Sequence, residues 1–192
     1  MHADIDRVLI SRQRIAARVR ELAIQITADH APPAVPAAAQ ITIIPILTGA
    51  MIFAADLIRQ MPIAIRMGLL TVSSYPGSAV RSQGAAVLGQ QVGDIRGRHI
   101  LLVDDILDSG GTLRLVVPIL QDLGPASVKT CVLLRKDRPS ARQVQADYVG
   151  FDIPDEFVVG YGLDYDNYYR NHPEIVTLKP QVLNRRRPGQ GT

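Results

Sequence analysis

The chain has few of the features that mark secreted, zinc-binding or membrane-spanning proteins. Its 192 residues include one cysteine, Cys131, which excludes an internal disulfide framework and a multi-cysteine zinc site. The apolar stretch from Gln40 to Ala55 is interrupted by Pro45 and Gly49. It is shorter than the ~20 residues that a bilayer span requires.

We do not expect secretion, because a signal peptide would need an apolar core near the start of the sequence. Charged residues occupy that segment instead: Asp4, Asp6, Arg7, Arg12 and Arg14. We therefore expect a cytoplasmic protein that has no membrane partner. Apolar residues make up 47% of the chain and charged residues 20%, which is typical of a globular protein rather than a disordered one.

The excess of positive charge is small and local. Lysine and arginine number 21 against 18 acidic residues, and the adjacent Arg185, Arg186 and Arg187 account for the whole net charge of +3. Because the rest of the chain is neutral, it gives no electrostatic reason to expect nucleic-acid binding. We expect a basic, disordered tail over 184–192 and a single domain over 1–183.

Alternating apolar segments predict the fold class. Ile15, Val19, Leu22 and Ile26 recur at helical spacing and predict a helix over 8–28, followed by a proline-rich linker. Beyond the linker, strand-like runs such as ITIIPI, the uncharged HILLV and SVKTCVLLR alternate with the helical segments TGAMIFAADLIRQM and LRLVVPILQDLG. This pattern predicts an α/β protein whose mainly parallel sheet is covered by helices on both faces.

One segment, at 99–120, carries most of the chemistry. A buried strand is predicted to end at Val103, directly before the paired acids Asp104 and Asp105. Asp108 and the loop Ser109-Gly110-Gly111-Thr112 follow, and then a helix begins. Glycines and a helix N-terminus suit a phosphate, and paired carboxylates suit a cis-diol or a Mg²⁺ ion. Ligands bind at this edge of open parallel sheets.

A simpler interpretation of the same residues stays open at this point. Asp108 or Ser109 could cap the helix, and Asp104 and Asp105 could be solvated loop acids. Two other phosphate-binding classes are excluded, because the chain has neither a G-x-x-x-x-G-K-[ST] loop nor a G-x-G-x-x-G turn.

Four segments resemble the type I phosphoribosyltransferases, and within them the hypoxanthine-guanine branch. VDDILDSGGT is similar to the signature that binds phosphoribosyl diphosphate (PRPP), and ILTGAMIFAADLIR to the pyrophosphate loop and its helix. SSYPG resembles the start of a mobile lid. GFDIPDEFVVGYGLDYDNYYR resembles the purine-binding hood and is the most specific of the four. The resemblance covers about residues 5–180.

The resemblance implies a fold, a reaction and a set of partners. The fold is a twisted, mainly parallel sheet flanked by helices, with a core over about 35–149 and a small hood from about 1–30 and 150–183. The reaction transfers ribose 5-phosphate from PRPP to a 6-oxopurine and releases pyrophosphate, with Mg²⁺ or Mn²⁺ as cofactor. A homodimer or homotetramer is implied as well.

By resemblance, Asp108 is the general base beside purine N7, and the acid pair holds the ribose hydroxyls and a metal ion. The family usually has Glu where this chain has Asp104. The loop Ser109, Gly110, Gly111 and Thr112 binds the 5′-phosphate.

The purine side is implied in the same way. Lys136 donates to the exocyclic oxygen of the base, Phe157 stacks on the ring, and the Val158 backbone meets its other edge. Asp164 binds a second Mg²⁺, and Arg170 binds pyrophosphate.

Two further segments complete the predicted site. Leu47, Thr48 and Gly49 form the pyrophosphate loop, although the family often has Lys where this chain has Thr48. Ser74 and Tyr75 begin the lid. The alternatives are a related enzyme acting on xanthine, adenine or a pyrimidine, and a regulator of the same fold that senses nucleotides and binds RNA.

Overall fold

A seven-stranded sheet forms the centre of the protein. The computed structural model describes residues 3–30, 41–73 and 86–183. The strands are β1 Ile5–Ile10, β2 Ile41–Leu47, β3 Arg66–Met67, β4 Leu69–Ser73, β5 Ala86–Gln91, β6 His99–Leu107, β7 Ser127–Lys136, β8 Tyr148–Ile153, β9 Val158–Val159 and β10 Ile175–Leu178. The helices are α1 Arg12–His30, α2 Met51–Arg59, α3 Gly111–Gln121, α4 Pro139–Arg142 and α5 Pro180–Leu183.

The central sheet is mainly parallel, as the alternation of strands and helices predicts. Its order is β5-β4-β2-β6-β7-β8, and β3 pairs with β2 beside this path. All pairs are parallel except β4 with β5, which forms an antiparallel edge. The uncharged runs of β2, β6 and β7 are buried because helices cover both faces of the sheet.

Each face of the sheet has its own apolar core. On one face, α1 and α2 pack against β2, β6 and β7, with Ile15, Leu22 and Phe53 completely buried. On the other face, α3 contributes Leu113 and Val116 to a second cluster. The apolar residues of each helix fall at three- and four-residue spacing, which places them on a single buried stripe.

A second, smaller sheet joins the start of the chain to its last third. It is antiparallel, in the order β1-β10-β9. The prediction of a helix over 8–28 is wrong at its start, because residues 8–10 pair with β10. Helix α1 begins only after Ser11, whose Oγ accepts a 3.4 Å hydrogen bond from the Arg14 amide. The division into core and hood stays a prediction.

Strand β6 is longer than the sequence predicts. The predicted end was Val103, which is also where pairing with β2 ends. Pairing with β7 continues to Leu107, opposite Arg135. Asp104 and Asp105 are therefore strand residues, not loop residues, and they follow the last residue pair between β6 and β2.

Three predicted segments lie outside the described residues: the linker at 31–40, the lid at 74–85 with Ser74 and Tyr75, and the tail at 184–192. Strands β4 and β5 flank the second of these and pair with each other. Within the described ranges, no helix is both long and apolar enough to cross a bilayer.

Candidate active site

A cavity of about 610 Å³ opens at the carboxyl ends of β2, β6 and β7. Its volume falls in the range of small-molecule sites, ~300–1,000 Å³. The cavity is lined by every predicted site residue that the structure describes: Leu47, Thr48, Gly49, Asp104, Asp105, Asp108, Ser109, Gly110, Gly111, Thr112, Lys136, Phe157, Val158, Asp164 and Arg170. Residues from four separated parts of the chain thus meet where open α/β sheets bind ligands.

The acid pair lies at the base of this cavity. Asp104 is only 6% exposed, and its Oδ1 accepts a 3.1 Å hydrogen bond from the Asp105 amide. Burial, and then the charge of Asp105, raise the pKa of Asp104 well above its usual range. Burial also raises the pKa of Asp105, although its hydrogen bond with Asp104 and the charge of Arg170 act against that rise. Both carboxylates are held in a place that opposes their ionisation.

Two glycines allow three segments to approach closely beside the pair. A Cβ on Gly49 would overlap the carboxylate of Asp105, and a Cβ on Gly162 would overlap the carbonyl oxygen of Gly49. Gly162 also has a φ of +106°, which other residues rarely adopt. The peptide bond between Leu47 and Thr48 is cis. The loop after β2 is therefore packed between β6 and the segment after β9.

The loop from Ser109 to Thr112 ends at the N-terminus of α3. Gly110 is the N-cap, with a φ of +80°, and the Gly111 amide donates a long, 3.4 Å hydrogen bond to Ser109 Oγ. A Cβ on Gly110 would overlap Val144. Residues 110–113 at the start of α3 line the cavity, and no carboxylate of the described residues caps that helix start, which is the arrangement that favours an anion. Asp108 does not cap the helix, so the simpler interpretation of this residue is wrong.

Asp108 belongs instead to a cluster of four charged side chains. Its Oδ1 lies 2.7 Å from Nη1 of Arg138 and 3.3 Å from Nζ of Lys136. Arg138 also binds Oδ2 of Asp155 through Nε at 3.0 Å and Nη2 at 2.6 Å. The Lys136 ammonium lies 3.5 Å from the other oxygen of Asp155. The four charges alternate in sign around a closed ring.

Sequence reasoning missed Arg138 and Asp155 as residues of this ring. Asp108 and Asp155 lie far from each other in the sequence, and each is an ordinary charge in a turn when considered alone. Only the pairing of β6, β7 and β8 brings their neighbourhoods together. No signal in the sequence could have identified the ring.

Residues of the segment 157–170, which includes β9, line another side of the cavity. Phe157 is 45% exposed and packs edge-to-face on Tyr165, with the ring centroids 5.6 Å apart. It is therefore not a core phenylalanine. Arg170 bonds the Asp164 carboxylate at 2.7 Å and the Gly162 carbonyl at 2.7 Å. The second oxygen of Asp164 accepts from the Asn167 amide at 2.8 Å, so both of its oxygens already have protein donors.

The acid pair fits a divalent cation that arrives with a substrate. Among the described residues, neither Asp104 nor Asp105 makes a salt bridge, and their oxygens are the hard donors that Mg²⁺ prefers. The same ranges contain no cluster of three or more His, Cys, Asp or Glu side chains suited to a metal. Mg²⁺ commonly binds one or two carboxylates and completes its shell with water and phosphate oxygens. Asp164 fits less well, because Arg170 and Asn167 occupy its oxygens.

Comparison with known proteins agrees with this geometry. The family model described as "Phosphoribosyl transferase domain" matches residues 9–166. The chain belongs to the phosphoribosyltransferase family. It is 41% identical to the hypoxanthine-guanine phosphoribosyltransferase of Mycobacterium avium over 93% of this chain and 88% of that one. It is equally identical to the Bacillus subtilis enzyme of that name, over 95% of this chain and 98% of the other.

Solved structures of phosphoribosyltransferases have the same fold as this chain. The hypoxanthine phosphoribosyltransferase of Trypanosoma cruzi, in complex with the product IMP, superposes with a TM-score of 0.86 at 35% identity. The alignment covers 100% of this chain and 99% of that one. The Staphylococcus aureus hypoxanthine phosphoribosyltransferase gives a TM-score of 0.85 at 34% identity, covering 96% and 97% of the two chains. The predicted type I fold is confirmed.

Proposed function

We propose that this chain is a hypoxanthine-guanine phosphoribosyltransferase of purine salvage. It transfers the 5-phosphoribosyl group from PRPP to a 6-oxopurine and releases pyrophosphate. The observation that carries the proposal is the single cavity that holds an acid pair, a glycine-rich helix N-terminus and a nearly buried lysine together. The curated relatives of that name, matched over nearly the whole length of both chains, support the same activity.

Each part of the cavity suits one part of the two substrates. The N-terminal amides of α3 and the loop Ser109–Thr112 bind the 5′-phosphate. The acid pair binds the ribose hydroxyls, and the loop Leu47–Gly49 offers backbone groups to pyrophosphate beside Arg170. Transfer passes through an oxocarbenium-like centre, so fixed charges and positioning account for most of the rate.

The purine lies between Lys136 and Phe157 in this proposal. Lys136 has only donors, so its ammonium favours the oxygen of a 6-oxopurine and disfavours the amino group of adenine. The side chain of Lys136 is only 11% exposed, which fixes the place of that charge. Phe157 is exposed toward the cavity and offers a ring face for stacking. Asp108, beside Lys136, removes the proton from purine N7.

A divalent metal ion completes the site. Asp104 and Asp105 would hold Mg²⁺ or Mn²⁺, and such an ion would supply positive charge against the pyrophosphate group. The carboxylates need only position the ion, because the substrate supplies most of its ligands. We further propose a homodimer or homotetramer and a cytoplasmic location.

The experiment is an assay of nucleotide formation with PRPP, Mg²⁺ and each base in turn. We expect turnover of hypoxanthine and guanine, much lower kcat/KM for adenine, and no turnover of orotate or uracil. Treatment with EDTA should abolish turnover, and added Mg²⁺ or Mn²⁺ should restore it. Equal kcat/KM for adenine would reassign the branch, and full activity in metal-free buffer would remove the metal from the mechanism.

The alternatives give distinct results in the same assay. Turnover of xanthine, adenine or a pyrimidine in place of hypoxanthine indicates a related enzyme. A regulator that binds RNA would bind nucleotide without turnover of any base.

A further inference from the structure

We propose that Arg138 is a positioning residue for Lys136. By binding Asp108 and Asp155, Arg138 holds both carboxylates away from the Lys136 ammonium, which then remains free to donate to the purine oxygen. This inference rests on the proposed function, and it concerns a residue to which the resemblance assigns no role.

The distances separate the two cations of the ring. Arg138 makes the three short contacts, at 2.7 Å to Asp108 and at 2.6 and 3.0 Å to Asp155. Lys136 makes the two long ones, at 3.3 and 3.5 Å. Charge-assisted N–H···O bonds are normally about 2.7–2.9 Å long. Arg138 is therefore the closer partner of both acids, and Lys136 makes the longer ion pairs with them.

The chemistry of the two side chains explains this division. A guanidinium carries five donors in a rigid fork and can bridge two carboxylates at once, whereas an ammonium acts as a point charge. Without Arg138, both acids would compete for the nearest remaining cation, which is Lys136. A lysine bonded at full strength to two carboxylates has less to offer a neutral purine carbonyl.

Arg138 also links two segments that meet the base. Asp108 comes directly after β6, and Asp155 lies two residues before Phe157. A single side chain thus ties the loop beside the predicted ribose site to the segment that carries the stacking ring. Removal of Arg138 should affect binding of the purine more than binding of PRPP, because the loop Ser109–Thr112 is not part of the ring.

Steady-state kinetics of Arg138→Ala test the proposal. We expect the KM for hypoxanthine to rise about 10-fold or more, as for one weakened bond to a charged group, with the KM for PRPP within about 3-fold of wild type. The KM for hypoxanthine of Arg138→Lys should lie between those of wild type and Arg138→Ala, since lysine restores the charge but not the forked donor geometry. The matched control is Arg142→Ala, which removes an exposed arginine of α4 that pairs with Asp137. It should behave as wild type.

The contact itself can be observed without turnover. The chain has three lysines, Lys129, Lys136 and Lys179, so their ammonium signals can be resolved by NMR of ¹⁵N-lysine-labelled protein. In Arg138→Ala, the Lys136 signal should shift as the carboxylates close on it, while the other two stay in place. An unshifted Lys136 signal, an unchanged KM for hypoxanthine, or an equal rise of both KM values would overturn the inference. Wild-type protein that does not convert hypoxanthine would instead refute the proposed function.

Discussion

Acidic side chains at the two ends of the central sheet can have opposite surroundings, as Asp29 and Asp104 show. At the amino end, Asp29 has protein partners that favour its charge, and its pKa is lowered, mainly by the hydrogen bond from Tyr148. At the carboxyl end, burial and mutual repulsion raise the pKa of Asp104 well above its usual range. Both acids occur at strand or helix ends of the same fold, so the difference lies in what surrounds them.

The amino end is satisfied from within the chain. The Tyr148 hydroxyl donates to Asp29 at 2.5 Å, and Lys129 lies 3.3 Å from the same oxygen. Beside them, Asp147 accepts from both the amide and the hydroxyl of Thr130, at 2.7 and 3.1 Å. Such bonds contribute to the free energy of unfolding and leave little for a ligand to gain.

At the carboxyl end, the acid pair and the start of α3 leave polar groups for a ligand, whereas Asp108, Asp155 and Asp164 pair with arginines. The acid pair has no salt bridge among the described residues, and the Gly111 amide at the start of α3 makes a long, 3.4 Å hydrogen bond to Ser109 Oγ. Buried charges without partners reduce stability, and the folded chain tolerates them because the apolar layers of both sheet faces hold the strands in place. The comparison indicates which end of the sheet stabilises the fold and which end binds substrate.

The largest effect should come from Asp108→Asn. This variant keeps the shape of the side chain but removes the charge and the proton acceptor. We expect kcat with hypoxanthine to fall by about 10²–10⁴, the usual contribution of a general base. The affinity for PRPP should change far less, because the loop Ser109–Thr112 and its glycines are unaffected. Steady-state kinetics and PRPP titration separate the two effects.

The control for that variant is Asp137→Asn, one residue after Lys136. Asp137 pairs with Arg142 on the exposed side of the turn, and its side chain is 63% exposed. Its kcat should match that of wild type. A near-normal kcat for Asp108→Asn would remove Asp108 from the chemical step, and a selective loss of PRPP binding would move it to the groups that hold substrate.

An intermediate effect is expected from Asp104→Asn, which should raise stability while it lowers activity. In the folded protein its pKa is raised above the 3.8 of an ordinary aspartate. The folded state therefore retains a proton that the unfolded state loses, and stability falls as the pH rises from about 3.8 through the folded pKa. Asp104→Asn removes this penalty. It should raise the free energy of unfolding at pH 7 by about 1–2 kcal/mol, while lowering kcat/KM for PRPP.

Thermal unfolding across pH checks this prediction. The melting temperature of Asp104→Asn should exceed that of wild type at pH 7 by about 2–4 °C per kcal/mol, and the gap should close toward pH 4. Asp147→Ala is the contrasting variant at the amino end. It leaves the buried Thr130 amide without its acceptor and should lower stability. A less stable Asp104→Asn protein at pH 7 would contradict the assignment of Asp104 as a destabilising acid.

Local sequence patterns predicted the fold class and the segment from Asp104 to Thr112, whereas the other site residues followed from the resemblance to the phosphoribosyltransferases. Uncharged runs at β2, β6 and β7 indicated a buried parallel sheet, because only strands covered on both faces lack charges. The acids, glycines and hydroxyls between Asp104 and Thr112 are contiguous, so their meeting at one strand end followed from the sequence alone. The structure brings the described residues of that prediction to one cavity.

Features that depend on distant pairing could not be predicted in this way. The sequence of β1 resembles the start of a helix, and only its pairing with the distant β10 makes it a strand. Strand β6 extends past its predicted end at Val103 because β7 continues beside it. The Arg138 ring joins three loops through contacts between side chains that no spacing indicates. Gly162 is a similar case, because only the approach of the Gly49 carbonyl oxygen leaves no room for a side chain at that position.

The smallest effect should follow from Tyr148→Phe, at the amino end. The variant removes the hydroxyl that bonds Asp29 but keeps the ring in its buried place. We expect a loss of about 1 kcal/mol in the free energy of unfolding at pH 7, since Asp29 is partly exposed and water replaces the lost donor. The lowered pKa of Asp29 gives a stability that is present above about pH 3.8 and is lost as the pH falls through the folded pKa. The difference between variant and wild type should therefore shrink in acid, as measured by urea unfolding at several pH values.

Hypoxanthine turnover of Tyr148→Phe should stay at the wild-type level, because this end of the sheet is remote from the cavity. A loss of kcat without a loss of stability would show that the two ends are coupled and would break the comparison.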